Sequence, residues 1–391
     1  MKYSEIQTQN AVTWKACTEN LPDEARTPAA YVNKSRAAEG PLRDICLPPS
    51  FAQWSLLPEV REQALSLFTE LGIPWHAGVD DGPSNHLLSS QVQCVNALGR
   101  MVRDPERIKR AFGDLVDTDE VLEVEPGRHL TFEYIGPEDF FSEQPAGPRT
   151  RGARCTSVDA AFKHRATDGA IELVLIEWKY TESYLWVRDP DPRRDKTRAR
   201  RYASFAADQA GPIRADVLSF ELLLDEPFYQ LVRQQLLAHE LEKIGAEGAS
   251  RVRVLHVLAP DNREYQKSLP RQAHRDLGDT VSEAWHQLLR HRDRFVSVDP
   301  GIFLNPEITS EEYVLRYADD VIWDQAGLLE ALGYESANDI EDALYAQYDF
   351  DGDVAVQADG IELIQSGRGI QLPYPFRDSD LREVVDELDE E

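Results

Sequence analysis

The sequence predicts an α/β fold, a mixed central sheet covered by helices, and three observations carry that prediction. In IELVLIEW (171–178), Ile171, Leu173, Leu175 and Glu177 share one face while Val174, Ile176 and Trp178 take the other. A strand apolar on both faces belongs in the centre of a sheet. The stretch from Cys155 reads as a partner strand, joined to it by a tight turn around Asp168-Gly169. Helical periodicity then brackets the pair, at 58–71 on one side and at about 227–244 on the other, with a strong strand, RVRVLHVL (251–258), following.

In chain order, residues 1 to about 57 are punctuated by Pro22, Pro28, Pro41, Pro48 and Pro49 and predict irregular chain with short helical pieces. Pro58 opens a helix whose Val60, Ala64, Leu67, Phe68 and Leu71 repeat with helical spacing, and Gly72 stands where a C-cap belongs. A second helix is expected over about 87–102, with Ser84 or Asn85 as its cap. Gln91 falls inside its apolar stripe, and a buried amide must find partners. It is either a satisfied core glutamine or a group aimed at a reaction centre. A strand at about 129–135 carries Glu133. Beyond the hairpin, RDPDPRRDKTRARRY (188–202) reads as an arginine-dense loop. A helix at about 279–290 and a strand near 295–298 complete the middle. The composition shifts after residue 305, giving helices near 310–317 and 328–348, strands at 354–357 and 361–365, and a terminal acidic helix. The domains expected are 1–75, a helical and irregular segment packed on the core; 76–305, the core itself; and 306–391, an acidic α/β extension.

Charge is distributed unevenly. The chain of 391 residues carries −28 overall, yet from residue 306 onward 24 acids face 4 bases, so that stretch holds −20. The span 149–201 is instead rich in arginine and lysine, so nucleic-acid binding, which needs cations against phosphates, is not excluded by the average. Cys17, Cys46, Cys94 and Cys155 are scattered without CxxC pairs, which argues against a zinc site or a disulfide framework. His76, His86, His239 and His256 lack metal-ligand spacing. The glycine of DFDGD (349–353) is misplaced for a calcium loop. No apolar run is long enough to span a bilayer, the first residues lack a secretory pattern, and a cytoplasmic protein is expected.

The chemistry concentrates in the hairpin. Glu177 and Lys179 are two apart and project side by side. A carboxylate and a lysine at the end of a buried strand are costly unless compensated, and a divalent cation on Glu177 would compensate. A three-residue loop centred on Asp168 sets Asp159 opposite Glu177, whereas a two-residue turn would throw the two acids onto opposite faces. The former is expected. Asp159, Glu177 and the Trp178 backbone carbonyl are then hard oxygen ligands suited to Mg2+ or Mn2+, with Lys179 beside the attacked phosphate. Glu133 offers a third carboxylate or is a structural acid.

The order helix, strand, strand with Asp, strand with Glu-x-Lys, helix, strand resembles the PD-(D/E)xK restriction-endonuclease-like superfamily, with its αβββαβ core. Here the motif is spelled Val158-Asp159 with Glu177-Trp178-Lys179, without the usual proline before the aspartate. More narrowly, PSNHLLSSQVQCVNAL (83–98), LTFEYIG (130–136), RGARCTSVDAAF (151–162), LIEWKYTESY (175–184) and PFYQLVRQQLLA (227–238) are similar to a bacterial restriction-endonuclease branch. The resemblance covers residues 70 to 265 or somewhat beyond. It implies that Asp159 and Glu177 ligate the metal and that Lys179 is the catalytic lysine. Gln91 would stand where many members place a metal-proximal glutamate. A glutamine on the later helix would face the site, with Gln230, Gln234 and Gln235 competing and Gln235 favoured.

The expected activity is a Mg2+-dependent nuclease acting on DNA, with Arg193, Arg194, Lys196, Arg198, Arg200 and Arg201 along the nucleic-acid backbone. The alternative is a catalytically silent nuclease fold that binds or regulates, its acidic tail engaging a basic protein partner. Cutting both strands of a duplex with one site per chain would call for a homodimer.

Overall fold

The computed structural model describes residues 1–33, 40–144, 147–185, 191–334, 336 and 339–389. It divides into two compact units, Met1–Val314 and Leu315–Glu391.

In the first unit the longer α-helices are α1 (Tyr3–Cys17), α2 (Pro58–Leu71), α3 (Ser90–Leu98), α4 (Pro105–Val116), α5 (Pro192–Ala206), α6 (Phe228–Ile244) and α7 (Val281–Leu288). The strands of its main sheet are β1 (Thr118–Leu122), β2 (Leu130–Tyr134), β3 (Val158–Ala166), β4 (Ile171–Trp178), β5 (Arg251–Val257) and β6 (Phe295–Val298). They form one mixed sheet in the order β1-β3-β4-β5-β6, with β2 pairing the same edge of β3 as β1. β3 and β4 are antiparallel, while β4, β5 and β6 run parallel. The expected mixed α/β architecture is therefore present.

Local rules account for most boundaries. α2 has Pro58 at its first turn and ends on Gly72 at φ 63°, a left-handed C-cap that glycine adopts freely. β4 is buried along nearly its whole length, and α6 packs against β5. The α6 side chains Leu231, Val232, Leu236 and Leu241 join Leu173, Leu175 and Val254 in one apolar core. Its partial closure by Trp285 and Phe295 ties α7 and β6 to the same cluster.

In this unit four expectations need correction. Residues 1–57 hold a 15-residue helix, α1, which its weak apolar periodicity concealed. Polar contacts anchor it instead. The buried Lys15 ammonium donates to the carbonyls of Thr27, Asp44 and Cys46 at 2.8–2.9 Å, and Trp14 Nε1 donates to Glu312 at 2.6 Å. Helix α3 starts later than expected and is capped by Ser89, because Asn85 is consumed elsewhere: its amide donates to the Ala30 and Leu47 carbonyls. The segment read as an arginine-dense loop is helical from Pro192, with the Asp191 carboxylate accepting from the Arg193 and Arg194 amides. Asp-Pro ahead of Arg- and Ala-rich sequence is a helix start, and those residues propagate a helix well. The first residues of that segment, 188–190, lie outside the described residues. Finally, α4 and β1 add a helix and an edge strand that the alternation of the sequence did not single out.

In the second unit, α8 (Gln325–Leu332) and α9 (Ile340–Tyr348) precede a meander of β7 (Asp353–Gln357), β8 (Gly360–Gln365) and β9 (Arg368–Pro373), and α10 (Asp378–Asp389) follows. Gly333 at φ 75° separates two helices where one was expected. The third strand was not foreseen, since Arg368, Gly369 and Gln371 dilute its apolar alternation. Leu328, Leu344, Phe350, Leu363, Phe376, Leu381 and Val385 form this unit's own core. Among the described residues, no helix is long and apolar enough to cross a membrane.

Candidate active site

Strand register sets the site. Ala166 and Ala170 close a three-residue loop, Thr167 to Gly169, and the pairing runs from Arg165 opposite Ile171 to Ala160 opposite Ile176. One step further, Asp159 stands opposite Glu177, as the Asp168-centred turn requires. On the other side, Phe132 faces Ala160 and Tyr134 faces Val158, so Glu133 stands opposite Asp159. Glu177 in turn pairs with His256 on β5. Three carboxylates thus lie at neighbouring positions of β2, β3 and β4. Glu133 has a left-handed φ of 48°, so the ladder opens at the acid itself.

Each acid is held by a different donor. Asp159 Oδ2 accepts from the Trp178 amide at 2.6 Å. Glu177 Oε1 accepts from Lys179 Nζ at 2.5 Å, and the nearby Gln234 side chain also favours its charged form. Glu133 accepts from Gln91 Nε2 and from Ser157 Oγ, both at 2.9 Å. Lys179 donates in addition to Gln230 Oε1 at 2.8 Å, and Gln230 Nε2 donates to Tyr184 Oη. The Trp178 carbonyl accepts from Ser90 Oγ at 3.2 Å, while its indole turns to the opposite face and donates to Gln93.

The electrostatics follow from three acids sharing one lysine. Burial and the charges of Glu177 and Glu133 push Asp159 well above the usual carboxylate range, and burial raises Glu133 too. Burial alone would raise Glu177, but the Lys179 ammonium overrides it and holds that acid low. Burial opposes the Lys179 charge as well, and Glu177 more than restores it. His256 is driven down to about 3 by burial and then by Lys179, so its imidazole stays neutral.

Among the described residues, no three His, Cys, Asp or Glu side chains are assembled as a ready metal cage. The donor chemistry nevertheless fits a hard divalent cation. Asp159 and Glu177 are adjacent carboxylates, Glu133 is beside them, and the charge surplus is expressed in the upward displacement of Asp159.

These carboxylates lie between two hollows of about 750 and 610 Å³ that share Gly152, Asp159 and Gln230. The larger also reaches Glu177, Gln234 and six arginines, among them Arg193, Arg194, Arg198 and Arg201 of α5. Lys196 and Arg200 are exposed on α5 and do not line it. The smaller includes Gln91, Glu133, Trp178 and Lys179. Of the α6 glutamines, Gln230 and Gln234 share the site-facing side, one helical turn apart. Gln235 is buried and lines neither hollow. A rotation of about 100° per residue separates it from Gln234, whereas Gln230 and Gln234, at i and i+4, share one face. Ser157, Ser90 and Tyr184 complete the surroundings and had no distinguishing sequence pattern.

Residues 10–318 match the family described as Restriction Endonuclease associating with ARP, REase-ARP. The chain belongs to this family. The resemblance read from its five sequence blocks is therefore borne out, and the REase-ARP match contains all the site residues above. No curated protein and no solved structure matches the chain.

Proposed function

We propose that this REase-ARP protein is a Mg2+-dependent nuclease that hydrolyses phosphodiester bonds of DNA at the Asp159/Glu177/Lys179 site. The observation that carries the reading is the register placing Asp159 opposite Glu177 with the Lys179 ammonium bonded to the latter. Asp159, Glu177 and the Trp178 carbonyl would hold the cation. When bound, it neutralises charge on phosphate oxygens and acidifies a coordinated water. Lys179, fixed by Glu177 and Gln230, keeps its proton and presents positive charge to a phosphate oxygen developing charge. Gln234 orients Glu177, and Gln91 with Ser157 orient Glu133. Arg193 and Arg194 of α5, which line the larger hollow, hold the strand's phosphates alongside. Mn2+ would serve in place of Mg2+, having the same preference for oxygen ligands.

The test is cleavage of plasmid, linear and single-stranded DNA by the purified protein with Mg2+ or Mn2+, beside Lys179→Ala. Equal activity in that variant would remove the assignment. The family description also favours association with ARP as a partner. We place that contact on the acidic second unit, most of which lies beyond the matched residues. Loss of ARP co-purification on deletion of residues 319–391, with cleavage retained, is the expected result. A homodimer is the expected state if both duplex strands are cut, and sedentary one-strand nicking by a monomer would argue against it.

A further inference from the structure

The six arginines of the larger hollow fall into two groups. Three are committed to the protein. Arg198 donates to the Leu224 carbonyl at 3.0 Å and lies over the Tyr229 ring, Arg201 donates to the Glu143 carbonyl, and Arg233 donates to Thr156 Oγ1. The other three, Arg154, Arg193 and Arg194, have no side-chain partner among the described residues. Arg193 and Arg194 come from the first turn of α5. Arg154 comes from the chain just before β3.

Arg154 is held in an unusual way. Its φ is 60°, in the left-handed region that a side chain with a Cβ seldom adopts. Two residues earlier Gly152 has φ 66°, and a Cβ there would meet the Glu133 carboxylate at 3.0–3.1 Å. The bridge between Thr150 and Ala153 closes the turn. The loop thus lays its backbone on one site acid and commits an exposed, unpaired guanidinium to the same hollow as Asp159 and Glu177. Strained residues persist where the surroundings over-determine them, commonly at ligand clamps. Among the described residues lining the hollow, no acid forms an ion pair with these three cations, and Glu177 is bonded to Lys179. Glu143 accepts from Thr156 and Tyr202 and is near Arg233, and Glu226 lies 4.0 Å from Arg198.

We propose that Arg154, Arg193 and Arg194 form a phosphate clamp that grips a backbone phosphate of the nucleic-acid strand beside the scissile bond. The proposal rests on the nuclease reading of the site and adds a residue outside the arginine-rich segment. Guanidinium forks match phosphate oxygens in geometry as well as charge. Arg154 then supplies the wall opposite α5, which a single helix could not.

The experiment is fluorescence anisotropy of the full chain with a labelled DNA strand and its duplex, in EDTA, over a series of salt concentrations. Arg154→Asn is the principal variant, since asparagine tolerates a left-handed backbone, and Arg154→Gly is the second. Removing one phosphate contact lowers the salt slope by about one. The expected result is that loss, accompanied by weaker binding, in both variants and in Arg193→Ala, with melting temperatures at or above that of the wild type. Arg165→Asn, at the far end of β3, should leave the slope unchanged. An unchanged slope in a folded Arg154 variant overturns the proposal, as does a wild type that binds neither probe. Because binding is read without metal, a protein that shows the slope change but never cleaves keeps the clamp and loses the nuclease reading. One that cleaves without the slope change does the reverse.

Discussion

Lys179 Nζ lies 2.5 Å from Glu177 Oε1, and both side chains are less than one-tenth exposed. Removing one member of such a pair leaves an uncompensated buried charge, at a cost of about 3–5 kcal/mol. Lys179→Ala should therefore lose cleavage and also stability, and activity alone cannot separate the two effects. The double variant Lys179→Met/Glu177→Gln should recover most of the stability in urea titrations while remaining inactive. Recovery of cleavage in the double variant would show that the pair is structural.

The charge of Asp159 is destabilised by burial and by its acidic neighbours in the metal-free protein. Asp159→Asn keeps an oxygen able to accept from the Trp178 amide but removes the repulsion. The metal-free variant should be more stable than the wild type. Mg2+ should raise the melting temperature of the wild type, as a ligand specific to the folded state does, and leave the variant's unchanged. Equal Mg2+ stabilisation of the two proteins would place the cation elsewhere.

Gly152 should resist substitution. Alanine would carry a Cβ into the Glu133 carboxylate at a φ of 66°. A left-handed alanine costs about 1 kcal/mol before any displacement of Glu133 is counted. Gly152→Ala is expected to lower both the denaturation midpoint and the cleavage rate. An alanine variant with wild-type turnover would show that the placement of Glu133 does not matter to the reaction.

His86, in the lining of the smaller hollow, supplies an acid-sensitive element that is not itself one of the site acids. Burial, and then Arg43, push its pKa down to about 4 from 6.5. The unfolded chain takes up this proton first as the pH falls. Stability contributed by the neutral imidazole is therefore complete above pH 6.5 and is lost as the pH drops toward 4, up to about 3 kcal/mol. His86→Asn, whose amide oxygen can still accept from the Leu88 amide as Nδ1 does, should flatten that limb of a stability–pH curve. An unaltered curve would assign the acid sensitivity to other groups.

How far the sequence reached can be read from three places. The Asp159–Glu177 pairing was legible because a turn with Asp168-Gly169 and an apolar two-faced strand leave few registers open. The choice among the α6 glutamines was not, because α6 is apolar around much of its circumference and gives periodicity no single face to mark. Gln235 took the buried side and Gln230 with Gln234 the side of the acids. α5 was misread because charge density was taken as a sign of loop, although Asp191-Pro192 opens a helix and Arg198, Tyr202 and Ala206 repeat along its buried side. α1 was hidden for the opposite reason: its anchors are polar bonds outside the helix, from Lys15 to the carbonyls of Thr27, Asp44 and Cys46 and from Trp14 to Glu312.

The three-residue loop Thr167 to Gly169 lies at the far end of the hairpin from the acids, about 25 Å away at strand rise. Its length nevertheless determines whether Asp159 and Glu177 look at each other. Adding or deleting one residue there would slide every pair in β3 and β4 by a step and turn one acid toward the opposite side of the sheet. The described loop residues 138–144, although nearer to the acids, belong to no strand pair and set no register. Tolerance to insertion in this protein should thus follow the accounting of strand pairs, with an intolerant position remote from any substrate and forgiving ones beside it.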